Sequence, residues 1–361
     1  MGSTWGKNIR ISLFGESHGA GVGIVLDGLP PGFALDKAQI TREMARRAPG
    51  KGAYTTPRAE SDAVRVLSGL YEGKTTGAPL MALIDNENVR SADYQTNLPR
   101  PSHADYTAFI KYGGFADMRG GGHFSGRLTA PVVFAGAVAK QLLQKEGVTI
   151  GAHILRVGDV YDTPFDACTV DEAQLKALCE QVFPVVDPQA GKDMKQRIED
   201  ARAQGDSVGG MVECAAVGLI AGWGEPFFES AESVIAGLLF SIPGIKGVTF
   251  GAGMDFASLC GSQANDAPVL ADGCVRTRTN HSGGIAGGIT NGMPLVVQAV
   301  MKPTPSIHKE QHTVDLNTMR PAKLEIQGRH DPCIVPRALA AVEACVALGL
   351  LELAMERKKR I

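Results

Sequence analysis

Apolar and polar positions along the chain change period repeatedly, and each change marks an element. Residues 9–14 and 23–26 read as two short strands on either side of a glycine-rich loop. A helical period begins after Asp36, a suitable N-cap, and runs to about Ala48, where Pro49-Gly50 stops it. Residues 131–145 predict a second helix, with proline in its first turn, small and apolar residues after it, and Gly147 at its end. Thr169 with Glu172 predicts a capping box for a helix to about Val182, and a polar helix follows over about 190–203. Residues 211–219 and 294–301 read as strands and 228–240 as a helix. The last helix starts near Pro336 and stays apolar along most of its length to about Arg357. Its basic tail, 357–360, suits the negative end of the helix dipole. The order predicts a mixed α/β chain with no clean internal boundary. The polar, helical stretch 162–206 is expected to be an insertion or lobe on a larger core.

Composition narrows this picture. A chain of 361 residues with 44% hydrophobic content can bury a sizeable core, as one large domain or two smaller ones. A net charge of −2 argues against a general nucleic-acid or membrane-surface binder, so an anion site has to come from local clustering. No uninterrupted apolar run approaches the roughly 20 residues that cross a bilayer, and residues 1–14 carry no basic-then-apolar signal pattern. The seven cysteines are scattered singly, which argues against a disulfide framework or a thiolate metal site and fits a reducing cytoplasm. The 44 glycines cluster at 15–23, 113–126 and 283–292. Glycine permits positive φ and close approach of backbone to a ligand, so three clusters predict one site built from distant loops.

Five segments carry candidate chemistry. In Gly15-Glu16-Ser17-His18-Gly19, His18 either transfers a proton or caps a turn; its reference pKa of about 6.5 suits the first role. The stretch from Arg100 to Gly113 packs Arg, His103, Asp105, Tyr and Lys into a short loop-rich region, with Asp105 a candidate to orient His103. Arg119-Gly120-Gly121-Gly122-His123-Phe124-Ser125-Gly126-Arg127 leads into the helix near Pro131, an arrangement that presents backbone N–H groups to an anion. It is neither a Walker A loop nor a Rossmann turn. Residues 280–292 double their glycines against a ring or phosphate, or simply make tight turns; Lys302-Pro303-Thr304-Pro305-Ser306 follows with a cation and two hydroxyls. Arg329-His330-Asp331-Pro332-Cys333 precedes the last helix and suits anion binding and proton handling, or a helix cap. The basic residues Arg42, Arg46, Arg47, Lys51 and Arg58 form either a solvated face or a clamp for a polyanion.

Taken in order, these segments resemble chorismate synthase over nearly the whole chain. The resemblance rests on Gly15–Gly19, the glycine block with Ser125, Arg127 and Thr129, and Arg329–Cys333, supported by Lys74-Thr75-Thr76-Gly77 and Tyr54-Thr55-Thr56. It implies a single large domain with a layered β-α-β sandwich fold, usually as a homotetramer. It implies an anti 1,4-elimination of phosphate and a C6 hydrogen from 5-enolpyruvylshikimate 3-phosphate, giving chorismate. Reduced FMN is required without net redox change. By position, His18 is the histidine near the leaving phosphate and a general acid, His103 protonates the flavin, and Asp331 is the carboxylate near flavin N5. Ser17 and Ser125 are hydroxyls of the proton network. His123, Phe124 and Ser125, Pro243 and Gly244, Gly287, Lys302, Pro303, Thr304, Pro305, Ser306 and Arg329 match flavin contacts. Arg47 matches a position associated with NADP binding, and Arg46 and Arg127 are assigned to substrate or nucleotide.

The chain departs from the family pattern at Leu128, where an acid is usual, at Ala48 and Ala53, where arginines are usual, and at Pro243-Gly244, where Asn-Ala is usual. The histidines and Asp331 are intact, so an active enzyme is expected. With no pyridine-nucleotide fingerprint and with Ala53, it is expected to depend on a separate flavin reductase or reductant. Two rival readings are a non-catalytic flavin- or phosphate-binding protein and a flavin-independent phosphatase.

Overall fold

The computed structural model describes residues 2–50, 62–87, 97–271, 273–326 and 330–360. Two five-stranded antiparallel sheets face each other across a layer of helices. The first contains β1 (Thr4–Trp5), β2 (Arg10–Gly15), β3 (Gly21–Asp27), β4 (Val64–Ser68) and β5 (Leu80–Asp85), in the order β1-β2-β3-β5-β4. The second contains β6 (Thr149–Val157), β7 (Val160–Tyr161), β8 (Gly210–Val217), β9 (Ile245–Phe250) and β10 (Leu295–Met301), in the order β9-β10-β8-β6-β7. The main helices are α1 (Lys37–Arg47), α2 (Asp105–Lys111), α3 (Thr129–Gln144), α4 (Glu172–Cys179), α5 (Pro188–Ala203), α6 (Ala231–Ser241) and α7 (Val335–Arg360). Helix α3 packs on β3 and β5, α7 packs on β6 and β8, and the two helices pack on each other. This is the layered β-α-β arrangement expected from the resemblance.

The sequence pattern explains the layers. In β5, Leu80, Ala82 and Ile84 are buried while Met81 and Leu83 are only half-buried, the alternation of a sheet with one covered face. In β10, Leu295, Val297 and Ala299 face the helical layer and Val296 faces the opposite side. That opposite side is covered by Phe165, Val170, Leu175 and Leu178 of the 162–206 stretch. Both faces of the second sheet are therefore dry, which is why its strands read as continuous apolar runs.

Helix α7 is apolar around almost its whole circumference because every side meets protein. By length and composition it would pass for a membrane span, yet it is the buried centre of the helical layer. Gly136 on α3 lies so close to Ala344 that any side chain there would overlap it. Local details differ from the sequence pattern at two helix starts. Asp171, not Thr169, caps α4, because Thr169 is still in the preceding turn on Asp166. Helix α6 begins at Ala231 under a Ser230 cap, after a separate turn over Phe227–Glu229.

Two buried polar clusters tie the layers together. Glu343 on α7 is fully buried and accepts from Arg46 of α1 and Lys140 of α3, while Glu43 pairs with both cations at 3.0 Å. Burial alone would raise the Glu343 carboxyl, but the Arg46 and Lys140 charges pull it down to about 2. His153 on β6 is fully buried between Asp162 (2.7 Å) and Glu213 (3.0 Å), with its ring against Phe165. The two carboxylates overcome the effect of burial and raise the His153 pKa.

Glu343→Gln leaves two buried cations undercompensated, and the urea unfolding free energy is expected to fall by about 3 kcal/mol or more. The His153 contribution has the opposite pH sense to that of a carboxylate. It is fully present below about pH 6.5, the unfolded value, and is lost as pH rises through the raised folded value. The stability gap between the wild type and His153→Gln, measured by urea unfolding from pH 6 to 9, is expected to shrink with rising pH; a constant gap would refute this.

Candidate active site

The glycine loop over 119–126 brings the two histidines together. Gly120, Gly121 and Gly122 all have positive φ, so the loop backbone curls where L side chains rarely follow. A Cβ on Gly120 would overlap the His18 ring, and one on Gly121 would sit 3.0 Å from His103 Cε1 and 3.3 Å from Nε2. The two imidazoles therefore rest on consecutive residues of one loop. Ser17, also buried, donates to Arg119 O (3.2 Å), lies 3.3 Å from His18 Nδ1, and its backbone N–H donates to Gly122 O (3.1 Å).

Each histidine has its own support. Asp105 accepts from His103 Nδ1 at 2.7 Å, leaving Nε2 toward the glycine loop. Arg100 in turn grips both oxygens of Asp105 at 2.8 Å. Burial would raise the Asp105 carboxyl, but the hydrogen bonds from Arg100 and His103 hold it well below the usual carboxylate range. Asp105 thus orients His103 as the sequence suggested. The loop carrying His18 is clamped by Asn86, whose amide donates to Glu16 O and Gly19 O, both at 2.9 Å. Asn86 also accepts from Arg127 Nε at 3.0 Å.

A third group closes the site from the helical layer. Arg47 and Arg127 both pair with the buried carboxylate of Asp62, and Arg47 also donates to Gly126 O at 3.0 Å. Burial, opposed by Asp62 and reinforced by the charges of Arg337 and Arg127, brings Arg47 down to about 10. Arg337, in the first turn of α7, is ion-paired with Asp331. The neighbouring His330 is lowered to about 4, first by burial and then by Arg100 and His308, with His103 also contributing. Val208 N–H donates to Pro332 O at 2.8 Å and Gly209 packs against Pro303, so the 330–332 segment lies beside 301–303, the stretch from which Lys302 reaches Ser102. There Lys302 donates to the carbonyl of Ser102, a non-glycine residue held at φ 57. Lys302 N–H donates to Gly244 O at 3.0 Å, which ties Pro243-Gly244 to the segment 302–306.

The remaining sequence assignments separate. Ser125 caps the turn over Gly126–Leu128, and the Phe124 ring meets Tyr112 at 6.2 Å. Both ring nitrogens of His123 are engaged, on Gly15 O and Ser3 Oγ at 2.8 Å, so its imidazole faces the first sheet. Arg46 does not join a substrate clamp: its guanidinium belongs to the internal cluster with Glu343 and Glu43, while Arg42 is exposed. Arg47 is buried too, inside the arginine cluster and not on a surface lid. Gly287 is not brought to the site. Its hairpin is pinned to Ala231 through Gly288 O, at the start of α6 and beyond the Leu295 end of β10, about 20 Å of strand from Lys302. The 280–284 turn before it is held by Asn280 and Asp266, which is the tight-turn reading of that segment. Arg329, Lys51, Tyr54-Thr55-Thr56, Ala53 and Arg58 lie outside the described residues.

Sequence reading missed Asp62, Asn86, Arg100 as the Asp105 partner, and Arg337. None sits in a glycine motif, and Asn86 and Asp62 act only through contacts that folding creates. The contact geometry predicts that Gly120→Ala displaces His18, whereas Gly126→Ala, which meets open space, does not. Imidazole NMR shifts of the two variants test this; an unmoved His18 signal in Gly120→Ala would contradict it.

Comparison with known proteins places this geometry. The family model described as chorismate synthase matches residues 9–355. The chain is 47% identical over 355 residues to the chorismate synthase of Thermococcus kodakarensis, covering 98% of each chain. It is 43% identical over 356 residues to that of Methanobrevibacter smithii, covering 98% of this chain and 96% of the relative. A crystal structure of chorismate synthase superposes with a TM-score of 0.77 at 28% identity, covering 98% of this chain and 93% of that one. On the match along its length, the layered fold and the shared order of segments, this chain belongs to the chorismate synthase family.

Proposed function

We propose that His18, His103 and Asp331 are the proton-handling groups of the family's reaction in this chain, working beside bound reduced FMN. The chain is a carbon–oxygen lyase of the shikimate pathway and aromatic amino acid biosynthesis, and forms chorismate from 5-enolpyruvylshikimate 3-phosphate. The observation that carries the residue assignment is the seating of both histidines on consecutive glycines, and Asp331 is held by Arg337 at the start of α7.

The surroundings fit a polar, phosphorylated cofactor. Thr304 Oγ1, His330 Nε2 and Arg337 Nε are buried without a hydrogen-bond partner, and all three lie in segments that border the site. Buried polar atoms of this kind ordinarily find partners, and a ligand would supply them. Lys302–Ser306, Pro243-Gly244 and the backbone of His123–Ser125 would hold FMN. When bound, reduced flavin supplies electron density transiently and takes it back, so the elimination leaves no net redox change.

The chain's own residues account for the rest. His18 gives a proton to the departing phosphate oxygen as the C–O bond breaks, and Arg127 stabilises the developing negative charge. Ser17 fixes the His18 ring. His103, held by Asp105, keeps its Nε2 on the cofactor side, and Asp331 helps receive the C6 proton. Arg47 holds Asp62, which in turn holds Arg127. Turnover depends on a separate flavin reductase or chemical reductant. The exposed apolar residues Leu270, Val275 and Met319 on projecting hairpins give copies of the chain a surface for homotetramer assembly, in the cytoplasm.

In an anaerobic assay with reduced FMN and the enolpyruvyl phosphate, followed by chorismate absorbance, His18→Ala and His103→Ala are each expected to lose about 100-fold or more in kcat. Unchanged turnover in either variant would overturn its role. NADPH with oxidised FMN should give no turnover unless a reductase is added.

A further inference from the structure

Asn86 stands one residue beyond the first sheet. The last pair in the register of β3 with β5 is Gly21↔Asp85, and the next backbone N–H, that of Asn86, donates to Ala20 O at 3.1 Å. Its side chain therefore emerges where the loop carrying His18 runs into β3. The amide can stand in only one orientation. Arg127 Nε lies 3.0 Å away and can only donate, so the atom facing it is the acceptor Oδ1. That choice turns Nδ2 toward Glu16 O and Gly19 O, each at 2.9 Å. Both amide hydrogens are then committed to the two carbonyls that flank Ser17-His18.

The two ends of this bridge are supported differently. Arg127 stays anchored without Asn86, because its terminal nitrogens also reach the Asp62 carboxylate and the carbonyl of Asp85. On the loop, one amide joins two carbonyls three residues apart, and the imidazole is carried between them. We propose that Asn86 is a positioning residue for the elimination: it fixes the separation between the guanidinium that stabilises the departing phosphate and the imidazole that protonates it. The inference rests on the roles given above to Arg127 and His18. Both are needed at the same moment, the cation against the developing charge and the acid against the leaving oxygen. A misplacement of about 1 Å between such groups costs up to about 100-fold in rate. Substrate binding, by contrast, relies on a guanidinium that keeps its other anchors. Loss of the bridge therefore acts on kcat and spares KM.

The test uses Asn86→Ala, which removes the whole side-chain bridge, and Asn86→Asp, which keeps an acceptor for Arg127 but sets an oxygen against the two loop carbonyls. Imidazole NMR shifts are read on the protein without ligands, with the fully buried His153 as the marker of an intact fold. Both variants are expected to move the His18 signal and leave that of His153 in place. In the anaerobic assay with reduced FMN, Asn86→Ala is expected to lose about 10- to 100-fold in kcat, with a KM for the enolpyruvyl phosphate within about threefold of the wild type. An unmoved His18 signal in both variants overturns the proposal, as does a KM that rises as much as kcat falls. A His153 signal that moves with His18 in both variants marks a general loss of packing and counts against it equally. If His18 alone moves while kcat holds, the placement of the ring by Asn86 stands and the general-acid reading of His18 fails instead.

Discussion

The contact on which the site depends is the close approach of the 120–122 backbone to two imidazoles. His18 arrives from the loop after β2 and His103 from the turn before α2. The glycine loop forms a floor beneath both. It can do so because three consecutive residues adopt positive φ and carry no side chain. The other supports keep that floor and its occupants in register. Ser17 is bonded to the loop backbone, Asn86 clamps the loop carrying His18, and Asp105 with Arg100 fixes His103.

Much of this arrangement is legible in the sequence, for a physical reason. Glycines that admit a ring leave a visible cluster, and a histidine beside them is a visible reagent. The supporting charges are less visible. Asp62 and Asn86 stand alone in the chain and gain meaning only when α1, β5 and the glycine loop converge. Arg46 shows the reverse case. Adjacent to Arg47 and basic, it reads as a ligand-facing residue, but one step along a helix rotates the side chain by about 100°. That step turns Arg46 to Glu343 and Arg47 to Asp62. Gly287 shows a third case. A glycine-rich run is consistent with ligand contact or with tight turns, and only the sheet register reveals which end of the molecule it occupies.

The fold was similarly readable where one face of an element is wet and ambiguous where both are dry. The strands of the second sheet carry apolar residues toward α7 and toward the 162–206 stretch, so they lose the alternation that marks β5. That stretch is not a detached lobe in its packing. It supplies the cover without which the outer face of β6, β8 and β10 would be bare. His153, with its two carboxylates, lies at this junction, a buried titratable group whose partners come from β8 and from the covering segment.

Helix α7 unites these features, and its place in the chain after every strand of both sheets has a temporal consequence. Its first turn brings Arg337 to Asp331, its middle brings Glu343 to the charges on α1 and α3, and its last turns bring Glu352 to the backbone N–H groups of Lys7, Asn8 and Ile9. On a ribosome the chain emerges N-terminus first. Both sheets are then synthesised before the helix that separates them, and residues 7–9 wait for a carboxylate made more than 340 positions later. The centre of the core and the last wall of the active site are delivered by the same late segment. Nascent chains that stop short of it lack both, so catalytic competence arrives only once α7 has been made.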